Sequence, residues 1–313
     1  MTRVSTSGNF GVMTSNLMRA QVLQNLAGEQ VSSQKNATDL KGYAKNAEVL
    51  TAMKTAQAKV TGFLDQTSLV ANRLDVQDIG IGQVADATQD ARDAVANAVA
   101  AGSAETLMQQ LTGAFGDVVQ GLNSRFNGRY VFAGAKSDVQ PTTATSMTDL
   151  TAGPPSGTAV SIPTLFQNDQ YISSNRIDDT TSVDTGQLAD QLGTGVYGVF
   201  QQVQAYVDVN GPFTGKLTQV QSDFLKSLLP TFDSVKTGLI TAQAQNGLNQ
   251  KRFETARTDL SNQADTLTTM VGGITDVDMA EAITRLESAK LAVQASAQVF
   301  ASLQNSSLLN VLK

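Results

Sequence analysis

Hydrophobic side chains recur every three or four positions through the first part of the chain. The first such stripe comprises Phe10, Met13, Leu17, Ala20, Ala27 and Val31, with Gln24 as a polar interruption. A second run extends over residues 43–98 and is interrupted at Gly80 and Gly82, and a third covers residues 107–122. Because an α-helix has about 3.6 residues per turn, this spacing predicts long helices, the first of them with a coiled-coil-like stripe.

The C-terminal part of the chain shows the same periodicity in two segments. The first runs from Phe253 to Val271, and the following Gly272-Gly273 pair is expected to end it. The second is predicted to begin near Thr275-Asp276, and its stripe comprises Met279, Ala282, Leu286, Ala289, Val293, Ala297, Phe300 and Leu303. A last helix of roughly 30 residues would be about 45 Å long, which is a rod rather than the helix of a globular core.

The prolines separate these helical flanks from the middle of the chain, because proline is excluded from helix interiors. All six lie between residues 141 and 230, and four of them lie between 141 and 163. Residues 128–134 are typical of a hairpin strand bounded by glycines, and the Thr/Ser/Pro-rich segment 136–186 is expected to be a small, mostly β insertion. A helical pattern returns over residues 188–209.

These patterns together predict a mainly α fold in which the whole chain forms a hairpin. We expect a long antiparallel terminal-helix bundle or coiled coil from residues 1–41 and 275–313. A second helical bundle with a β-hairpin is expected from residues 42–135 and 187–274, and a small β-rich inserted domain from residues 136–186.

The composition narrows the chemistry that such a chain can perform. It contains no Cys, His or Trp, which excludes Cys/His zinc sites, histidine bases, cysteine nucleophiles and disulfides. The 22 basic and 28 acidic residues give a net charge of −6 without a Lys/Arg cluster, so no nucleic-acid or anionic-lipid surface is expected. No apolar run approaches the roughly 18 to 20 residues of a membrane helix, and the N-terminal segment lacks the apolar region of a secretory signal peptide.

Three motifs could carry chemistry, and each has a structural alternative. Residues 193–198 match the dinucleotide pattern G-x-G-x-x-G but follow no apolar strand, so a helix-capping loop is favoured. Asp276, Asp278 and Glu281 could bind a divalent cation, but acids in a first helical turn stabilise that helix without one. The Asp178-Asp179 pair is better explained as solvated surface than as an acid/base dyad. We therefore expect no catalysis, no cofactor and no metal.

The terminal stripes are only weakly apolar. Ala, Gly and Ser dilute them, and each end carries a single aromatic residue, Phe10 within residues 1–42 and Phe300 within residues 254–313. Burying small side chains gains little at about 25 cal/mol per Å², whereas ordering the chain costs roughly 1 to 2 kcal/mol per residue. A monomeric helical bundle is the simplest interpretation, but such stripes favour ends that are disordered in the free monomer and become helical on self-assembly.

Several segments resemble bacterial flagellins and their relatives. Residues 28–35, GEQVSSQK, resemble the E-Q-L-S-S-G-x-R/K signature near the flagellin N-terminus, with Gln34 in place of Gly. Residues 274–281 are similar to the I-x-D-x-D-x-A that opens the C-terminal flagellin helix. Gln294-Ala295 matches the Q-A in the middle of that helix, and residues 308–312 resemble its hydrophobic end. The likeness covers both flanks but not residues 136–186.

Within this superfamily the chain is most similar to the hook-filament junction proteins (flagellar hook-associated protein 3, FlgL type). Residues 128–134 resemble the G-x-Y-x-F-x-G motif of that type, and residues 135–138 fit the x-K-x-D that tends to follow it. Residues 34–42 lack the double acid usual at this point in flagellin. A flagellin that forms the filament itself is the alternative within the superfamily, and a cytoplasmic coiled-coil signalling or adaptor module is the alternative outside it.

The resemblance implies a flagellin-like fold and an extracellular subunit of the bacterial flagellum that joins hook to filament. It also implies export through the flagellar type III apparatus, an export chaperone, and partners that include copies of the chain, hook-associated protein 1 and flagellin. The hypothesis places the assembly interface at Leu17, Ala20, Ala27, Val31, Ser32, Ser33, Leu286, Val293, Phe300 and Leu303.

Overall fold

The computed structural model describes the backbone of residues 3–309 and the side chains of residues 11–302. Over this part the chain is mainly α-helical. The helices are α1 (Arg3–Ser33), α2 (Ala47–Ala101), α3 (Leu107–Leu122), α4 (Ala189–Asn210), α5 (Gln219–Thr275) and α6 (Met279–Leu309). The predicted mainly α fold is confirmed.

Two antiparallel hairpins make up the sheet structure of the described residues. Strand β1 (Arg125–Phe126) pairs with β2 (Arg129–Tyr130) across an Asn127-Gly128 turn. Strand β3 (Ser174–Arg176) pairs with β4 (Ser182–Asp184). The hairpin predicted around residues 128–134 is present, but its second strand ends at Tyr130. The Val131 N–H still donates to the Ser124 carbonyl at 3.1 Å, and residues 131–133 are buried in the core.

The described chain divides into two compact units. Unit 1 comprises the residues up to Val60 together with those from Asn262 onward, and unit 2 comprises residues 61–261. Unit 1 is therefore built from both ends of the sequence, and unit 2 from its middle. The predicted division into three domains stays a prediction.

An aromatic core holds α3, α4 and α5 together in unit 2. Phe115 of α3 contacts Tyr197 and Phe200 of α4, with ring centroids 5.2 and 5.3 Å apart. Phe200 in turn meets Phe232 of α5 edge-on at 6.0 Å. The Tyr197 hydroxyl lies 2.7 Å from Thr142 Oγ1, and both side chains are fully buried. Burial raises the pKa of Tyr197 to about 12.

Helices α2 and α3 approach each other backbone to backbone at two glycines. A Cβ on Gly121 would lie 2.9 Å from the carbonyl oxygen of Gly80 and 2.8 Å from Cγ2 of Val84. The interruption predicted at Gly80 and Gly82 is wrong, because α2 continues through both residues. Gly80 allows the close contact between the helices rather than ending one of them.

Two boundaries of the last helices also differ from expectation. Helix α5 continues through Gly272 and Gly273 and ends at Thr275. The last helix then begins at Met279 rather than near residue 275, because Asp278 caps its first turn.

Pro230 lies inside α5, although proline was expected only outside helices. Its ring removes one backbone N–H donor. Leu228 and Phe232 on either side are almost fully buried, and this packing keeps the helix continuous through the proline.

The G-x-G-x-x-G segment lies within α4, so it forms neither a phosphate-binding loop nor the helix-capping loop that was favoured. Its glycines serve packing instead. A Cβ on Gly193 would lie 2.6 Å from Cζ of Phe166, and one on Gly195 would lie 3.2 Å from Cγ2 of Val235. Small residues at these positions let the 136–186 segment and α5 pack closely on α4.

Candidate assembly interface

Helices α1 and α6 form an antiparallel pair within unit 1. Leu286 Cδ1 lies 3.9 Å from the position that a Cβ on Gly28 would occupy, which is ordinary van der Waals contact. The buried and half-buried residues of the facing stripes are Met13, Leu17, Ala20, Gln24, Ala27 and Val31 on α1, and Ala282, Leu286, Ala289, Val293, Ser296 and Phe300 on α6. Their alternating spacing of three and four is that of a coiled-coil seam. The α6 stripe passes through Ser296 rather than the predicted Ala297, which is exposed.

Most of the predicted interface residues lie on this α1–α6 seam. Ala20 and Ala27 are buried, with 7% and 5% of their surface exposed. The half-buried members are Leu17, Val31, Ser33, Leu286, Val293 and Phe300. Ser32 is exposed, and the side chain of Leu303 lies outside the described residues. A role for these ten residues in contacts with a neighbouring molecule stays a prediction.

The loop after α1 is tied to the short link between α5 and α6 by backbone hydrogen bonds. The Asn36 N–H donates to the carbonyl of Thr275 at 2.7 Å, and the Val277 N–H donates to that of Gln34 at 3.1 Å. Gln34 adopts a φ of 57°, the left-handed region that favours glycine. The flagellin-type signature has Gly at this position, and the backbone conformation supplies the physical reason.

Side chains also join the loop after α1 to the link between α5 and α6, and we call this contact the junction. Lys35 Nζ donates to Asp276 Oδ1 at 2.5 Å, and Asn36 Nδ2 donates to the backbone carbonyl of Asp276 at 2.9 Å. The hydrogen bond from Lys35, and after it that from Thr275, lowers the pKa of Asp276 below its usual range. Both charged side chains are about half exposed, so their ion pair positions the loop more than it stabilises the fold.

The three acids considered as a cation site have protein partners. Asp276 belongs to the junction just described. Asp278 Oδ1 accepts from the backbone N–H groups of Ala280 at 2.9 Å and Glu281 at 3.2 Å, and so caps α6. Glu281 pairs with Arg285 one turn further along. Residues 11–302 contain no cluster of three side chains that could hold a metal ion.

The carboxylate of Asp178 is fixed in the β3–β4 turn. It accepts backbone hydrogen bonds from Thr180 and Thr181, both at 2.7 Å. These bonds lower the pKa of Asp178 to about 2. This carboxylate therefore stabilises the β3–β4 turn at the protein surface, where the sequence analysis places it.

The other side of α1 carries a second set of large apolar side chains, which we call the outer arc. Its members are Val12, Met18, Val22, Leu23 and Leu26, each between 48% and 64% exposed. At about 100° per residue they fall within an arc of about 140°, roughly opposite the seam. Arg19 is the single charged residue between positions 11 and 26. The pair with α6 thus leaves one apolar face of α1 uncovered.

Sequence reasoning missed the outer arc because it followed one stripe per helix. The signal was present in the i, i+4 series Met18, Val22 and Leu26. A helix with two apolar faces needs two partners, and α6 covers one of the two faces.

In the part of the chain that the structure describes, no helix combines the length and hydropathy that crossing a bilayer requires.

Comparison with known proteins gives one sequence-based match and several structural ones. Residues 229–312 match the family model of the bacterial flagellin C-terminal helical region. No curated protein matches the chain.

Solved structures match over most of the chain. A protein from Vibrio parahaemolyticus assigned as a flagellar hook-associated protein is 12% identical, with a TM-score of 0.57 over 73% of this chain and 97% of its own. FlgL from Bacillus cereus is 18% identical, with a TM-score of 0.52 over 72% of this chain and 99% of its own. These likenesses confirm the fold that the terminal motifs indicate. The chain therefore has the flagellin-like fold of the FlgL-type structures, and its C-terminal part matches the flagellin C-terminal helical region.

Proposed function

We propose that the chain is a structural subunit of the bacterial flagellum that joins the hook to the filament, without catalysis. It is exported through the flagellar type III apparatus and assembles through its terminal helices. Its partners are copies of itself and neighbouring axial proteins, namely hook-associated protein 1 and flagellin. The observation that carries this proposal is the outer arc of α1, which nothing in unit 1 covers among the described residues.

The outer arc is large enough to drive association. Complete burial of a large aliphatic side chain is worth about 1.5 to 3 kcal/mol, so burying the exposed half of each is worth roughly 1 kcal/mol. Five such residues along one helix therefore supply a few kcal/mol per contact. Repetition of that contact around a ring or along a helical array multiplies the gain without requiring a strong single pair.

Charge substitutions within α1 test the role of the outer arc. Val22→Glu and Leu26→Glu should leave the soluble chain folded but abolish its assembly, because both side chains are exposed in the single molecule. Gln21→Glu is the matched control, since it adds the same charge to the same helix outside the arc. Assembly that survives in both arc variants, measured by sedimentation, would contradict the proposal.

A deletion strain tests the cellular role. Cells without the protein should grow hooks and release flagellin monomers into the medium, because nothing would anchor the filament. Electron microscopy and assay of the culture supernatant measure the two outcomes. Normal filaments on such cells would refute the junction role.

A flagellin that builds the filament itself is the second candidate, supported by the match of residues 229–312 to the flagellin C-terminal helical region. Adding purified protein to filament fragments separates the two functions. A filament protein elongates the fragments continuously, whereas a junction protein does not.

The expected disorder of the terminal segments in the free chain has its own test. Hydrogen exchange should be fast in α1 and α6 of the soluble protein and slow after assembly. Strong protection of both helices in the free chain would contradict coupled folding and assembly, although it would leave the junction role intact.

A further inference from the structure

A cavity of about 520 Å³ lies in unit 2 between α2, the β1–β2 hairpin and the segment that leads into β3. Helix α2 contributes Arg73, the hairpin contributes Phe126 and Tyr130, the segment before β3 contributes Tyr171, and β3 itself contributes Asn175. Ligand pockets typically measure about 300 to 1,000 Å³, with mostly apolar walls and a few convergent polar groups. The size and lining of this cavity fall within that description.

Arg73 is a half-buried cation without an acidic partner. Its Nη1 donates to Ser173 Oγ at 3.2 Å, and no carboxylate within residues 11–302 forms an ion pair with it. Burial is the sole cause that lowers the pKa of Arg73, so no nearby negative charge compensates its desolvation. A guanidinium has five N–H donors in a planar fork that matches a carboxylate, which makes a carboxylate the complementary ligand.

The wall of the cavity supplies a flat aromatic surface beside this cation. Tyr171 is 57% exposed at its rim. The Tyr130 ring is buried and already carries the Arg125 guanidinium 4.1 Å from its centroid, so the free aromatic face belongs to Tyr171. Arg129 adds a second guanidinium, only loosely paired with Asp138 at 3.9 Å. The cavity therefore combines cations, an aromatic surface and polar amides on an otherwise acidic protein.

We propose that this cavity binds an acidic saccharide, with its carboxylate on Arg73 and the C–H face of its ring against Tyr171. A sugar acid presents a planar anion, an apolar ring face and hydroxyl groups together. The Asn127 amide and the Ser137 hydroxyl line the same space and can bond the hydroxyls, as can the Asn175 Oδ1, since the Nδ2 of that amide donates to Thr185 Oγ1 at 2.6 Å. The site is separate from the outer arc of α1, so it does not depend on the proposed role in assembly.

The test uses the full chain with D-glucuronate as the probe and D-glucose as the neutral control. Saturation-transfer NMR and calorimetric titration should detect glucuronate but not glucose. Arg73→Gln should weaken glucuronate binding about tenfold or more, because it removes the charge-assisted hydrogen bonds to the carboxylate. Arg257→Gln, which removes an exposed cation elsewhere in unit 2, should bind as the unchanged chain does.

Tyr171→Ala is the second variant, chosen because truncating an exposed ring leaves the fold intact if Arg73→Gln does not fold. It should also weaken glucuronate binding. The proposal is overturned if glucuronate does not bind at millimolar concentration, if glucose binds equally well, or if neither variant changes the affinity. The proposal would also be overturned if no saccharide bound and Arg73→Gln weakened self-association. That result would show that Arg73 pairs with an acidic side chain of a neighbouring subunit.

Discussion

Replacing Gly121 with Ala tests the close crossing of α2 and α3. The new methyl group would lie 2.9 Å from the Gly80 carbonyl oxygen, closer than Cβ atoms approach other atoms in proteins, and a tight 3.3 Å from the Val84 backbone nitrogen. Both neighbours are backbone atoms within a helix, so the helices themselves must move apart to admit the methyl group. Overpacking of this kind typically costs about 1 to 3 kcal/mol.

Gly113→Ala is the matched control in the same helix. Gly113 is exposed, and a Cβ there would meet no atom within 4 Å. Ala is favoured over Gly in a helix interior by about 0.5 to 1 kcal/mol, so this variant should stabilise the protein. The two substitutions are chemically identical, and the structure predicts that one lowers the stability of the protein and the other raises it.

Thermal unfolding followed by circular dichroism measures both effects. A domain of about 200 residues shifts its Tm by roughly 2 to 4 °C per kcal/mol. We expect Tm to fall by about 2 to 12 °C for Gly121→Ala and to rise by about 1 to 4 °C for Gly113→Ala. A Gly121→Ala protein that unfolds at or above the Tm of the unchanged chain would refute the close-contact argument.

Three further predictions concern single side chains. Gln34→Gly should stabilise unit 1 by about 0.5 to 1 kcal/mol, because glycine adopts the left-handed backbone conformation of this position without steric strain. Weaker protection of the unit 1 amides against hydrogen exchange in this variant would contradict the prediction. The carboxyl of Asp178 should titrate at about pH 2 when it is followed by NMR. Because its pKa is lower in the folded than in the unfolded state, its contribution to stability is present above about pH 4 and is lost as the pH falls towards 2. Asp178→Asn should remove that pH dependence. Tyr197→Phe should lower the free energy of unfolding in urea by about 1 to 2 kcal/mol, because it leaves the buried Thr142 hydroxyl without its partner; an unchanged unfolding midpoint would contradict this.

The sequence predicts the helices well where the spacing of apolar residues and the capping residues belong to the helix itself. The helical pattern over residues 188–209 corresponds to α4, which spans Ala189–Asn210. The capping role expected for the acids at the start of the last helix holds for Asp278, which caps α6, but not for Asp276, which lies before the helix and pairs with Lys35. These features depend on neighbours a few positions away, which the sequence shows directly.

Features that depend on distant neighbours were not predictable in the same way. The sequence pattern predicts an interruption at Gly80 because the partner of this residue, Gly121, lies in another helix. The departure from the flagellin signature at Gln34 was visible in the sequence, but the positive φ that gives it meaning was not. The cavity around Arg73 could not be predicted, because its walls come from three separate segments.

The junction of Lys35 with Asp276 has a consequence for the order of folding. It joins residues 241 positions apart, so closing it in an otherwise unfolded chain carries a large loop entropy. Within unit 2, helices α2 and α5 are already in contact, since Asn246 Nδ2 of α5 donates to the Leu74 carbonyl of α2 at 2.9 Å. Once that contact exists, the loop still to be closed is several-fold shorter, and its closure costs about 1 kcal/mol less. Unit 2 should therefore fold first, and the terminal pair should be the last part to close and the first to open.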